Sequence, residues 1–476
     1  MKPDNAPPEN HARRKFIQQS TALASWSLLA SSSLFANSSM ETPMKFIPKN
    51  IKIVDVSSDF EREPLATPYG FKGGYMTNVW QVITRMQDES GVSKIGLGTQ
   101  NTLWSDAKVF TMHSENAGNA LMYAMTERAL QMVKGSSFTD PVSLLDEVLE
   151  EVYAYGKKIT RNPDLRKTFA LNALVGFDNA AWLLYAHANS LRNFDDLIPE
   201  AYRPGMSARH DKVVSVPSFS FATPVSQMKK LADEGYFFMK IKLGHPGSQQ
   251  EMLEKDMTKL TEIHQAIGQG KTPHTSSGKI PYYFDMNGRY EHKDSLSRLL
   301  DHASKIGAYD QIVVVEEPFP EEYRVDVSEF EARLVSDESA HTDKDAEERI
   351  QMGYKGIALK PIAKTLSMTL KIAQLAYEKN IPCLCADLTV NPILVEWNKN
   401  VAARLPALPG FTGMGAMENN GHQNYRNWQQ MMSYHPYPEA EWVPAKDGLF
   451  HTGRDFYEKS GGIFQQPEHY VKLFQV

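Results

Sequence analysis

Five short apolar runs in the second half of the chain each end in charge. Lys240-Ile241-Lys242 closes one and Asp285-Met286-Asn287 the next. Glu316 follows Val313-Val314-Val315, Asp337 follows Leu334-Val335-Ser336, and Lys360 follows Gly356-Ile357-Ala358-Leu359. Asp285, Glu316 and Asp337 together make a hard, all-oxygen donor set. That suits Mg²⁺, which takes about six oxygens and leaves places for substrate oxygens. No His or Cys accompanies them, so zinc is disfavoured. Lys242 and Lys360 could act as acid and base. A lysine's ordinary pKa is near 10.4, but a neighbouring ammonium or a metal ion disfavours its charged form. Lys240 lies two residues from Lys242 on the same strand face and could lower its pKa by repulsion.

Such residues meet only if the strands that carry them lie side by side and parallel. The surrounding pattern predicts this. Strands at Val213–Val216, Phe237–Leu243, Tyr282–Asp285, Ile312–Glu316, Leu334–Asp337, Gly356–Lys360 and Ile381–Ala386 alternate with helical stretches. Pro224–Glu234 is one predicted helix. Leu366, Leu370, Ala373 and Tyr377 mark the buried face of another. Repeated strand–helix units imply parallel strands, and seven or eight in about 220 residues imply a closed barrel, whose active sites lie at the C-terminal strand ends. A charge there escapes the packed core and points into a shared cleft. Before the barrel, Ile51–Val54, Val79–Met86 and Lys94–Gly98 predict a small antiparallel sheet, with Pro68–Gly74 as a glycine-rich loop. Ala117–Trp182 reads as helical, with Leu144, Leu145, Val148, Leu149 and Val152 on one buried face.

The ordered set Lys240-Ile241-Lys242, Asp285-Met286-Asn287, Glu316-Glu317-Pro318, Asp337-Glu338-Ser339 and Lys360 resembles the enolase superfamily, within it the mandelate racemase/muconate lactonizing enzyme family. A lysine on the sixth strand, and no His on the seventh, places the resemblance nearer the muconate lactonizing enzyme branch. It covers nearly all of the chain from about Lys45 on. It implies a modified TIM barrel, (β/α)7β, behind an N-terminal α+β capping domain. The expected divisions are a leader at 1–36, the cap at 45–205, the barrel at 206–430, and a segment at 431–476 that packs back on the cap. The resemblance implies Asp285, Glu316 and Asp337 as Mg²⁺ ligands and Lys242 and Lys360 as the acid/base pair. Lys240 would tune Lys242 or help bind the substrate carboxylate. Asn287 would stand behind the ligands. Pro68–Gly74 would be a cap loop that closes over the substrate. Asp387 and Glu418 are candidate substrate contacts. The eighth-strand run Glu418-Asn419-Asn420 lacks the paired Asp-x-Asp that dipeptide epimerases use to hold an ammonium group.

The implied reaction is Mg²⁺-dependent removal of the proton α to a carboxylate through an enediolate. Two lysines favour a racemase or epimerase. A sugar-acid dehydratase or a cycloisomerase would use the same half-reaction, and an exported binding protein without turnover is the non-enzymatic alternative. The expected partner is a small carboxylate, with a homo-oligomer implied by the resemblance.

The bulk properties are those of an ordinary globular protein. The 476 residues are 42% hydrophobic and 23% charged, with net charge −6. Nucleic-acid binding would need a basic surface. Arg13-Arg14-Lys15-Phe16-Ile17 precedes an apolar, small-residue run from Ala22 to Ala36. This pattern reads as a signal peptide of twin-arginine type and predicts a periplasmic location without a stable membrane span. The two cysteines, Cys383 and Cys385, are expected to point to opposite faces of a strand and not to bridge, leaving both as core residues.

Overall fold

The computed structural model describes residues 46–71 and 74–475. The leader and two residues of the glycine-rich loop, Lys72 and Gly73, lie outside the described residues.

The chain first builds an antiparallel sheet from β1 (Ile51–Phe71), β2 (Gly74–Asp88) and β3 (Ser93–Gln100). The first strand is far longer than the predicted Ile51–Val54. After a register shift between Pro64 and Tyr69 it pairs with β2 as far as Phe71↔Gly74, so Tyr69, Gly70, Phe71 and Gly74 of the expected loop belong to a two-stranded ribbon. Only the Asp88–Gly91 turn separates β2 from β3. Helices follow: α1 (Thr102–Ser105), α2 (Ala107–His113) and α3 (Glu115–Val133). After the short β4 (Ser137–Phe138), which pairs with the start of β1, come α4 (Pro141–Thr160), α5 (Lys167–Ala173) and α6 (Val175–Ala188). The start of α4 is written in its sequence. Asp140 accepts the Ser143 N–H at 2.9 Å, and Pro141 occupies the first turn. Leu144, Leu145, Val148, Leu149 and Val152 are all buried, as the periodicity predicts. On α6, every residue from Val175 to Ala186 is buried. Gly96, Gly98 and Gly176 let β3 and α6 approach backbone to backbone; a Cβ on Gly96 would collide with Gly176 O and Ala180 N.

The second sheet is the barrel. Its strands are β5 (Lys212–Val216), β6 (Ser218–Phe219), β7 (Met239–Lys242), β8 (Tyr282–Asp285), β9 (Ile312–Glu316), β10 (Leu334–Ser336), β11 (Gly356–Leu359), β12 (Cys383–Cys385) and β13 (Gly415–Glu418). Each of β6 to β13 is parallel to its neighbours. Pro217 alone separates β5 from β6. β5 pairs with β13 and β6 with β7, so one strand broken at a proline closes eight positions into a ring. The covering helices are α7 (Val225–Asp233), α8 (Gln249–Ile267), α9 (Lys293–Lys305), α10 (Asp343–Gln351), α11 (Leu366–Glu378) and α12 (Pro392–Ala402). Between β9 and β10 the described chain is irregular rather than helical. On α11, Leu366, Leu370 and Ala373 are buried as expected, but Tyr377 is exposed.

Cap and barrel are joined by polar struts. The Asp178 carboxylate of α6 accepts the Ser367 N–H at 3.0 Å and the Ser367 hydroxyl at 2.5 Å, at the start of α11. Arg166 donates through Nε to Glu321 at 2.6 Å. The C-terminal segment touches both halves. Strand β14 (Leu449–His451) pairs antiparallel with β5, while Gln466 accepts the Ile95 N–H at 3.0 Å and His469 meets Glu61 at 2.9 Å. Both cysteines are free and buried. They share one face, in the same core cluster, while Leu384 between them packs in the other. The expectation of opposite faces is corrected, because side chains two apart on a strand point the same way.

Candidate active site

The residues singled out in the sequence converge at the C-terminal ends of the barrel strands. Lys240 and Lys242 end β7, Asp285 ends β8, and Glu316 ends β9. Asp337 directly follows β10 and Lys360 directly follows β11, while Asp387 follows β12 closely and Glu418 ends β13. A narrow cleft opens above them. Lys240, Lys242, Asn287, Asp337, Lys360, Asp387 and Glu418 line it, with Tyr69, Met76 and Trp104 from the cap. Asp285 and Glu316 lie at its base, fully buried. Around the ring the lysines of β7 come first, then the carboxylates of β8, β9 and β10, then Lys360. Lys242 and Lys360 therefore stand four strands apart, on opposite sides of one acidic cluster.

The ion pairs are dense. Lys240 Nζ lies 2.7 Å from Glu316 Oε1, 2.9 Å from Asp285 Oδ2 and 3.2 Å from Glu418 Oε2. Lys242 Nζ also pairs with Asp285 Oδ2. Lys360 Nζ lies 2.6 Å from Asp337 Oδ2. Burial opposes the charge on Lys240 and Lys242, but the carboxylates outweigh it, and both are held above the ordinary lysine range. Lys240 does repel Lys242, as expected, yet Asp285 overrides that repulsion, so the predicted lowering of Lys242 is corrected. Burial would raise Asp285, but Lys240 and Lys242 hold it down at about 2. Glu316 goes the other way. Burial and then Asp285 push it well above the usual carboxylate range, despite its contact with Lys240. Asp337 and Glu418 are likewise held down by their lysines against burial, so of these four carboxylates Glu316 is the one pushed up.

The donor atoms fit a divalent cation. Glu316, Asp337 and Glu338 each present an oxygen, all within 4.8 Å of one another. The group is oxygen-only, as Mg²⁺ prefers; Asp285, expected as a ligand, lies outside it, with Oδ2 taken by Lys240 and Lys242. After burial, the upward push on Glu316 comes from Asp285 and Asp337, negative charge that a dication relieves. Asn287 ties the ligands together from behind. Its N–H donates to Asp285 Oδ1 at 2.9 Å and its Nδ2 to Glu338 Oε1 at 3.1 Å. Asp387 and Glu418 line the cleft but are already engaged. Glu418 accepts from Asp387 N at 3.0 Å and Asn420 Nδ2 at 2.7 Å, and Asp387 accepts from Asn420 N at 2.7 Å. Burial and then Glu418 push Asp387 up to about 7.

Sequence reasoning missed three residues here. Glu338 sits beside Asp337 and joins the oxygen cluster. Lys364 is 1% exposed and donates to Asp337 O at 2.5 Å and Ala340 O at 3.0 Å. Trp104 of α1 lays its ring 4.2 Å from Lys360 Nζ. Glu338 and Lys364 adjoin flagged residues and were within reach of the sequence; nothing in the local pattern marks Trp104.

No family model matches the sequence, and no curated protein matches it. Solved structures do. A member of the enolase superfamily from Listeria innocua aligns at TM-score 0.57 and 16% identity, over 84% of this chain and 92% of that one. N-succinyl Arg/Lys racemase from Bacillus cereus aligns at TM-score 0.56 and 14% identity, over 79% and 89%. Dipeptide epimerase from Enterococcus faecalis, complexed with Mg and the dipeptide L-Leu-L-Tyr, aligns at TM-score 0.54 and 16% identity, over 77% and 90%. The fold is that of enolase-superfamily structures.

Proposed function

We infer that the chain is a Mg²⁺-dependent racemase or epimerase that moves the proton α to a carboxylate, with the lysine arrangement of the muconate lactonizing branch. One observation carries the reading. Lys242 and Lys360 line one cleft from opposite sides of a carboxylate cluster that fits a cation. The similar structures include racemases and epimerases by name.

Glu316 and Asp337 would hold the ion, with Asp285 and Glu338 at its side. When bound, it supplies positive charge that steadies the substrate carboxylate and the anion left when the α-proton departs. The chain does the rest. One lysine accepts the α-proton from one face, and the lysine across the cleft returns a proton to the other face of the same carbon. Asp285 Oδ2 is shared by Lys240 and Lys242, so whatever engages that oxygen decides how firmly Lys242 keeps its proton. Tyr69, Met76 and Trp104 cover the cleft and limit water.

Proton exchange tests this. Purified protein with Mg²⁺ in D₂O is incubated with pooled N-acyl amino acids, dipeptides, amino-acid betaines and sugar acids, beside Lys242→Ala and Lys360→Ala. Exchange at an α-carbon, with turnover lost in both variants, supports the reading, and an epimer rather than a keto acid separates it from a dehydratase. Exchange that survives both substitutions sinks the acid/base assignment. No exchange in any pool, with no Mg²⁺ bound, favours a binding protein. The leader motif supports export, which cell fractionation decides. Among the described residues no helix is long and apolar enough to cross a membrane.

A further inference from the structure

The two lysines do not stand in equivalent surroundings. Lys242 is paired with Asp285 and keeps 13% of its side chain exposed. The Lys360 side chain is 3% exposed and lies between two unlike partners. On one side is Asp337 Oδ2, at 2.6 Å; on the other is the Trp104 ring, its centre 4.2 Å from Nζ. An ammonium over an indole face is drawn to the ring's negative face, and the attraction grows when water is excluded.

Trp104 is held firmly enough to matter. It lies on α1, a helix of one turn that would not persist alone. Asn101 caps it by accepting the Trp104 N–H at 3.0 Å, and the Asn101 N–H donates to Asn172 Oδ1 on α5 at 3.0 Å. The Thr102 hydroxyl donates to Asn119 Oδ1 on α3 at 2.6 Å, and the Ser105 hydroxyl to Asn172 Oδ1 at 3.1 Å. Two longer cap helices thus fix the one-turn helix that presents the ring.

We propose that Trp104 is the positioning residue for Lys360, so that an aromatic face of the cap holds one of the two acid/base groups. The proposal rests on the two-lysine reading above. It predicts an asymmetry: loss of the ring damages proton transfer on the Lys360 face and spares the Lys242 face.

Two measurements test it, on Trp104→Met, which fills much of the space without an aromatic face, and Trp104→Phe, which keeps one. The first needs no substrate. The protein is acetylated with sulfo-N-hydroxysuccinimide acetate, and each lysine is followed by peptide mass spectrometry. Lys360 should label about tenfold faster in Trp104→Met and about as in wild type in Trp104→Phe, with Lys242 unchanged in both. An unchanged Lys360, or a parallel rise at Lys242, overturns the proposal. Should Trp104→Met not fold, the ring is read from the other side. Lys360→Met should shift the indole emission and Lys242→Met should not, with both differences absent in the Trp104→Phe background. No shift from Lys360→Met overturns the contact. The second measurement follows α-proton exchange of each enantiomer separately. Trp104→Met should slow the enantiomer that Lys360→Ala abolishes by about tenfold and change the other little. Equal slowing of both overturns the positioning role. If wild type exchanges nothing, the enzyme reading fails, and labelling still decides the contact.

Discussion

Asp178 offers a clean test of how cap and barrel are tied. It is fully buried on α6, and its carboxylate takes the Ser367 N–H and hydroxyl at the start of α11. Burial raises it from an ordinary 3.8 to about 7, with the Ser367 bonds only partly offsetting this. The folded protein therefore holds this proton more tightly than the unfolded chain. Its stability contribution is intact below about pH 4 and is lost as pH rises toward about 7. The difference amounts to about 4 kcal/mol above pH 7. Asp178→Asn matches the protonated acid in shape and can still accept from Ser367, so it should escape that loss. At pH 4.5 wild type and variant should differ by about 1 kcal/mol, and above pH 7 the variant should be the more stable by about 4 kcal/mol. For a unit of this size, unfolding entropy near 0.9 kcal/mol/K makes that about 4 °C in melting temperature. Thermal melts of both proteins from pH 4.5 to 8 give the result. A gap that stays flat across this range refutes the reasoning, and so does one that narrows as pH rises.

Other expectations concern the site and its supports. Lys364→Met strips a buried donor from two carbonyls and from the Asp337 region, and should cost about 3 kcal/mol, seen as a melting point lower by about 3 °C. Mg²⁺ at about a hundred times its dissociation constant should stabilise the protein by about 2.7 kcal/mol, an effect that EDTA reverses and that Glu316→Gln and Asp337→Asn abolish in calorimetric titration. Comparing Asp285→Asn with Glu338→Gln in the same titration shows which carboxylate completes the ion's ligands. Gly96→Ala drives a methyl into the α6 backbone and should destabilise by about 2 kcal/mol, whereas Gly453→Ala, with open space around it, should melt as wild type does.

The barrel and the heart of the site were legible in the sequence for one reason. A parallel strand buried on both faces is an apolar run, and a charge at its end is conspicuous against it. Lys242, Asp285, Glu316, Asp337 and Lys360 were found that way. What lies off the strands left no such contrast. Glu338 and Lys364 sit in the turns beyond β10 and β11, where charge is ordinary, and only the fold brings Lys364 to Asp337. Trp104 reaches Lys360 from a different layer of the molecule, and no local period records that meeting. The sign of the Lys242 perturbation was misjudged because neighbours in sequence were visible, whereas Asp285, 43 residues away, was not weighed against them. The length of β1 was hidden because its second half, with Pro64, Pro68 and Gly70, carries the residues of a turn while pairing as a ribbon.

The late part of the chain has a consequence for how the molecule is made. Strand β14 pairs with β5, the opening strand of the barrel, and Gln466 bonds to Ile95 across 371 residues of sequence. Both early elements leave the ribosome long before their partners exist. Until then β5 has an open edge, and the cap sheet lacks a contact at Ile95. Pairings of such high contact order are slow to form, and chains caught before them expose surfaces prone to self-association. Nascent chains halted before Leu449 should therefore remain sensitive to protease and bound to chaperones, with protection arriving only when the final segment does.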